Sequence, residues 1–162
     1  RGGELQVVDA WQVLRDEVQI GRSVVVVDWR CDWIGPGIAE RLTRAGHQVQ
    51  LAVNGTHCGE NLPLYVRDQL AGELHRLGIP ITPYARLYGC DDNTVYLQHT
   101  ASGEPMIFEG IDTLVLCMGH LPQDHLATEL AGVVDVRRIG DCLAPRTAEE
   151  AIHDGLMVAW AL

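Results

Sequence analysis

The residues equipped for chemistry in this chain lie in four places. Between the valine run Val24–Val27 and a helix-like stretch from Gly35 come Asp28, Trp29, Arg30, Cys31, Asp32 and Trp33. A strand that turns into a helix in this way is the setting in which backbone N–H groups hold a phosphate at the helix N-terminus. His57–Cys58 sets a base beside a thiol. Cys117, His120, Asp124 and His125 are metal-ligating types close together in sequence. Gly140–Asp141, with Arg146 nearby, offers a close backbone approach, an acceptor for a sugar hydroxyl and a guanidinium suited to phosphate.

Two of the four lose weight on their spacing. Cys117, His120, Asp124 and His125 match no zinc pattern, and no metal site is expected. His57 and Cys58 are adjacent, and neighbours in a loop seldom face each other as a catalytic dyad must. No Gly-x-Ser-x-Gly stretch occurs, and all 12 basic residues are arginine. The absence of lysine excludes a Walker lysine and Schiff-base chemistry within this segment. It also removes the partner that a phospho-receiver pocket would need beside Asp28 and Asp32. No catalytic residue is expected here.

The turn after Val24–Val27 is weighed against a dinucleotide site. Such a turn needs glycine for a positive φ, for close pyrophosphate approach and for helix-to-strand packing. With Gly35 as the third glycine, Arg30 and Asp32 fall at the first two. The Asp32 charge opposes an anionic ligand, and the turn is longer than the six-residue fingerprint. The following strand ends Ala52-Val53-Asn54, with no acid for a ribose and no arginine for a 2′-phosphate. Trp29 and Trp33 are expected to fill the volume a ligand would have taken. The opposite arrangement, an indole stacked on adenine with Arg30 on a phosphate, keeps Arg30 and Gly35 as candidate cofactor contacts.

The elements that position these residues are read from periodicity. Val8–Val18 suggests a short helix before a turn at Gly21. Val24–Val27 is a strand apolar on both faces, as in a parallel sheet. Ile38, Ala39, Leu42 and Ala45 give a helix over 35–45 that Gly46 ends, and Val49–Val53 gives the next strand. After the polar loop 54–63, Val66, Leu70, Leu74 and Leu77 stripe a second helix over 64–77. A third strand follows within GIPITPYARL. YARLYGC, NTVYLQHT and EPMIFEG read as an antiparallel meander, and IDTLVLCMG as another buried strand. VRRIGD predicts a short strand. The final stretch predicts a helix with Ala151, Ile152, Met157, Val158 and Ala161 inward. The order is that of an α/β, three-layer Rossmann-like fold with a parallel sheet and an antiparallel β-meander.

Ile111–Leu126, IDTLVLCMGHLPQDHL, is similar to the late strand and glycine turn of FAD/NAD(P)-binding domains. Arg137–Gly155, RRIGDCLAPRTAEEAIHDG, resembles the second FAD-contacting segment of flavoproteins related to trimethylamine dehydrogenase, dimethylamine dehydrogenase and N-methylproline demethylase. 2,4-Dienoyl-CoA reductase is a more distant relative. The resemblance covers roughly residues 5–162. It implies a longer protein with an FMN-bearing barrel and a 4Fe-4S cluster upstream, and with the FAD or ADP domain interrupted by an NAD(P)-type domain. Residues 1–20 would then connect, 21–125 form the NAD(P)-binding-like domain with a degenerate fingerprint, and 126–162 return to the FAD/ADP-binding domain. Gly140, Asp141 and Arg146 would contact FAD or ADP. The segment itself would be noncatalytic and hold no cofactor alone, with NAD(P)H disfavoured. The alternatives are the NAD(P)H-binding domain of a 2,4-dienoyl-CoA reductase-like enzyme and a ligand-free docking module.

The whole chain bounds these readings. It has 162 residues, 47% of them apolar, and a net charge of −10. That charge argues against nucleic acid and anionic membrane as partners. The resemblance implies instead the rest of the longer flavoprotein, and an electron-transferring flavoprotein as acceptor. Five separated cysteines without CxxC spacing fit reduced thiols in the cytoplasm.

Overall fold

The computed structural model describes residues 4–161. The chain divides after Met118 into two compact units.

The first unit is built on a five-stranded parallel sheet in the order β1-β8-β2-β3-β4. Its strands are β1 (Gln6–Asp9), β2 (Ser23–Asp28), β3 (Gln48–Val53), β4 (Ile81–Thr82) and β8 (Thr113–Cys117). A second sheet, β5 (Ala85–Asp91), β6 (Thr94–His99) and β7 (Pro105–Glu109), is antiparallel and runs in sequence order. The expected parallel sheet and meander are both present.

The valine run explains the layering. Side chains alternate faces along a strand. Val24 and Val26 therefore pack into one core cluster with Ile38, Ala39 and Leu42 of α2 (Ile34–Arg44) and Leu74 of α3 (Leu64–Arg76). Val25 and Val27 enter the other cluster with Val95 and Leu97 of the meander. All four valines are essentially inaccessible to water. One strand thus joins a helical layer to a meander layer, so neither face of the sheet is left wet. α3 leans on this core less than its stripe suggested: only Leu74 is fully buried, with Leu70 and Leu77 packed at the margin.

The N-terminal segment departs from expectation. Gln6–Asp9 is a strand, paired in parallel with β8 from Gln6↔Thr113 to Asp9↔Leu116. The helix α1 spans only Ala10–Leu14. The edge strand buries a single side chain, Val8, and so leaves no alternation to read. The helix starts where Asp9 and Gln12 exchange side-chain-to-backbone hydrogen bonds, both at 2.9 Å. That capping box is the signal that separates strand from helix at Asp9.

The second unit holds α4 (His125–Glu129), a single 3-10 turn at Gly140–Cys142 and α5 (Ala148–Trp160). α5 begins at a capping box, with Thr147 N–H donating to Glu150 at 3.0 Å. The strand expected in VRRIGD is absent. Ile139 has extended dihedrals, φ −140° and ψ 158°, yet a strand also needs a neighbour to bond, and this stretch has none within its unit. The side chains expected inward on α5 are not buried either; Ile152 is 73% exposed and Met157 49%. Periodicity names an apolar face but does not supply the layer that covers it.

Candidate functional site

β2 delivers its last residue, Asp28, into the core. Its neighbours across the ladder are Val53 of β3 and Cys117 of β8, and Trp29 N–H donates to the Cys117 carbonyl at 3.1 Å. With strands bonded on both sides, the Asp28 side chain is held beneath the start of α2, and the residue is 2% exposed. Oδ1 accepts the Cys31 N–H at 2.9 Å, while Oδ2 has no partner. Burial pushes this carboxyl up to about 7; the Cys31 N–H opposes the shift and the Asp32 charge adds to it.

The turn itself closes by three devices. Cys31 takes the left-handed conformation, φ +53°, which a dinucleotide turn gives to glycine. Asp32 Oδ1 accepts the Ile34 N–H at 3.0 Å at the start of α2. Arg30 Nε pairs with Asp32 Oδ2 at 2.9 Å. Arg30 is thus held by a carboxylate of its own turn, and Asp32 takes an N–H that a phosphate at this helix end would use.

Gly35 is buried in the first turn of α2. A Cβ built on it would stand 2.5 Å from both Cβ and Cγ of Asp28 and 2.7 Å from Oδ2. The glycine therefore lets α2 close over the Asp28 carboxyl. Trp29 and Trp33, expected as plugs, are 44% and 57% exposed. The correction is one of geometry: the side chain pressed against Gly35 comes from the strand, where Asp28 points inward, whereas the two indoles leave the turn toward solvent. Sequence reasoning named Asp28 but gave it no part in filling the cradle. Its signal was a carboxylate ending a strand otherwise apolar on both faces.

Three cysteines gather on this carboxyl. Cys31, Cys58 and Cys117 are buried, and burial raises all three thiols, with the Asp28 charge adding to each. Cys58 is pushed up to about 12, so it remains a thiol at neutral pH and is a poor nucleophile. His57 does not face it. The imidazole lies 2.7 Å from Thr56 Oγ1 through Nδ1 and 2.9 Å from Arg67 through Nε2. Arginine can only donate, so Nε2 accepts and Nδ1 carries the proton. The end of β3 offers no ribose acceptor: Ala52 and Val53 are fully buried and Asn54 N–H donates to the Asp28 carbonyl. Among the described residues no group of three or more His, Cys, Asp or Glu side chains is placed to hold a metal ion.

The second unit brings Gly140, Asp141 and Arg146 together. Gly140 has φ +61°, and its N–H donates to Asp154 of α5 at 3.2 Å. An added Cβ would meet Ala151 at 3.3 Å. Asp141 is exposed, and its Oδ1 accepts the Arg146 N–H at 3.4 Å. The Arg146 guanidinium is paired with Asp154. Arg30 and Gly35 thus share one turn in the first unit, and the other three candidates share one turn in the second.

No protein-family model matches the chain. It is 26% identical to dimethylamine dehydrogenase of Hyphomicrobium sp. (strain x), across 91% of this chain. The chain is a homologue of dimethylamine dehydrogenase. It spans about a quarter (24%) of that relative's length. Among solved structures, histamine dehydrogenase from Rhizobium sp. 4-9 superposes on 98% of this chain, and 26% of its own, with a TM-score of 0.86 at 19% identity; that likeness speaks for the fold. 2-Naphthoyl-CoA reductase matches 92% of this chain and 22% of its own at 26% identity, with a TM-score of 0.78. The chain thus shares its α/β fold with histamine dehydrogenase and with 2-naphthoyl-CoA reductase. No helix among the described residues is long and apolar enough to cross a membrane.

Proposed function

We propose that this chain is a noncatalytic nucleotide-fold segment of a flavin-dependent oxidoreductase of the amine dehydrogenase and demethylase kind. In that reading FMN and a 4Fe-4S cluster, held outside this segment, would supply the chemistry for oxidising a C–N bond and passing electrons to an electron-transferring flavoprotein. The observation that supports a noncatalytic role is the Asp28 carboxyl lodged against Gly35, where a dinucleotide turn needs bare backbone. The chain's own residues do not fit NAD(P)H there. Asp32 occupies a helix N-terminal donor, Arg30 is tied to Asp32, and Asp28 fills the space over the glycine.

FAD or ADP fits the second unit better. Asp141 offers an exposed carboxylate that can accept a ribose or ribitol hydroxyl, and the positive φ of Gly140 lets the backbone turn just before it. Arg146 would have to exchange Asp154 for a phosphate, a swap between two anions that a guanidinium makes readily. Such a cofactor would supply adenine-nucleotide bulk and charge; this chain's part is to hold and orient it.

The testing experiment is a fluorescence titration of the chain with NADH and with NADPH. No saturable binding is expected up to about millimolar coenzyme, a ceiling of about −4 kcal/mol. Micromolar binding would overturn the reading. The identity to 2-naphthoyl-CoA reductase supports a second reading, an acyl-CoA-reducing enzyme fed by NAD(P)H. The full-length protein assayed on methylated amines and on unsaturated acyl-CoA esters separates the two. Turnover of the thioesters alone, with NADPH, would leave the second.

A further inference from the structure

Asp28 has a role open to it beyond keeping a coenzyme out. It is fixed on a strand that cannot move, since β3 and β8 bond β2 on both sides. Above it lies a turn outside the sheet. That turn carries a non-glycine residue at φ +53°, two half-exposed indoles, and a first helical turn resting on a glycine. The Asp28 carboxyl grips the turn through Oδ1, which holds the Cys31 N–H, and through the Arg30 N–H; Asn61 and Gly55, from the loop after β3, hold Arg30 and Cys31 from the other side. The other carboxyl oxygen, Oδ2, is sealed from water and bonded to nothing. With a proton on Oδ2 the arrangement is neutral and needs no solvent. Without it, an anion is enclosed among thiols and valines, and a buried charge is costly unless water or a partner reaches it. Water can enter most easily where the backbone is strained and the side chains already meet solvent, between Trp29 and Trp33.

We propose that the Asp28 carboxyl is a proton-operated latch on the Trp29–Trp33 turn: closed over α2 while protonated, and loosened to admit water when ionised. The groups that set its balance come from every neighbouring element. Asp32 opposes ionisation and Arg30 favours it, both from the turn. The thiols of Cys31 in the turn, Cys58 in the loop after β3 and Cys117 on β8 are electrically coupled to Asp28 and stay neutral. Glu60, in the same loop as Cys58, and Asp9, at the end of β1, act on Cys31 and Cys117 respectively and add negative charge to the surroundings. Burial outweighs these charges and the Cys31 and Arg30 N–H groups, and the carboxyl holds its proton into the neutral range.

The test uses the whole chain with Trp11→Phe and Trp160→Phe, so that emission reports only Trp29 and Trp33. Acrylamide quenching is followed from about pH 5.5 to about pH 8.5, with and without Asp28→Asn. In the parent the quenching constant is expected to rise about two-fold, as local opening exposes the indoles. In Asp28→Asn, which mimics the protonated acid, it should stay at the low-pH value. A parent that does not respond, or an Asn variant with the same rise, overturns the latch. Should Asp28→Asn fail to fold, carbon-13 NMR of the Asp28 carboxyl in the unaltered chain decides. A midpoint near 7, shared by the indole N–H signals of Trp29 and Trp33, supports it. A midpoint below about 5, or indole signals that move with a different midpoint, overturns it.

Discussion

Replacing Gly35 by alanine separates two reasons for a glycine at that place. If the glycine served only an approaching coenzyme, a methyl group there would spoil binding and leave stability alone. The structure gives a different expectation. The new Cβ would lie 2.5 Å from two carbons of Asp28, whereas carbon atoms settle at roughly 3.5–4.0 Å. α2 would have to back away from β2 by about 1 Å, which unseats Ile38, Ala39 and Leu42, all at most 4% exposed. Overpacking of this kind costs about 1–3 kcal/mol. Both neighbouring carbons are fixed by a strand, so the upper end applies, even after the gain of about 1 kcal/mol that alanine brings to a helix. Urea unfolding, followed by circular dichroism, should show a loss of about 2–3 kcal/mol, or a fall in Tm of about 4–12 °C. Gly37 provides the control. It lies two residues on in the same helix, and a Cβ there meets nothing within 4 Å. Gly37→Ala should therefore be neutral or stabilising. Asp28→Gly should rescue Gly35→Ala, and Asp28→Ala should not, because the Asp28 Cβ is itself one of the clashing atoms. Equal stability of Gly35→Ala and Gly37→Ala would refute the packing argument.

Other expectations follow from the same geometry. The Asp28 carboxyl rises from 3.8 to about 7 on folding, so stability is whole below pH 4, declines as pH climbs through 7 and is level above. Asp28→Asn should match the parent in acid and exceed it at pH 8 by as much as about 4 kcal/mol, three units at about 1.36 each; parallel curves of unfolding free energy against pH would contradict this. Ellman's reagent should modify exposed Cys90 first and half-buried Cys142 next, and reach Cys31, Cys58 and Cys117 only on unfolding. Fast loss of a third thiol from the native chain would count against the buried cluster. Thr147→Ala removes the side-chain half of the cap on α5 and should lower its stability by about 1 kcal/mol, read as faster amide exchange over 148–152.

What could be read in advance followed from local rules. Val24–Val27 announced a strand buried on both sides because nothing but a sheet between two layers needs four successive β-branched residues. CDDN and ASG punctuated the meander, and Gly46 stopped α2. Gln6–Asp9 escaped notice because an edge strand that buries one side chain has no period. The strand expected before Gly140 failed for a related reason: a ladder is a property of two segments, and residues 136–141 name only one. In the turn, an alignment of glycines identified where bare backbone was missing but not what stood in its place. That depended on Asp28 pointing inward, a matter of register on β2 fixed by β3 and β8. The tryptophans drew attention by size, yet size alone does not decide which way a side chain leaves a turn.

The left-handed turn at Cys31 bears on any attempt to engineer coenzyme recognition into this protein. Placing glycine at Cys31 would ease the backbone, but Asp28 would still occupy the cradle and Asp32 would still hold its amide. Removing Asp28 first would leave a void under α2 for the fold to absorb with no compensating affinity. The substitutions are useful only as a set, so a search that changes one position at a time would meet a valley at its first step.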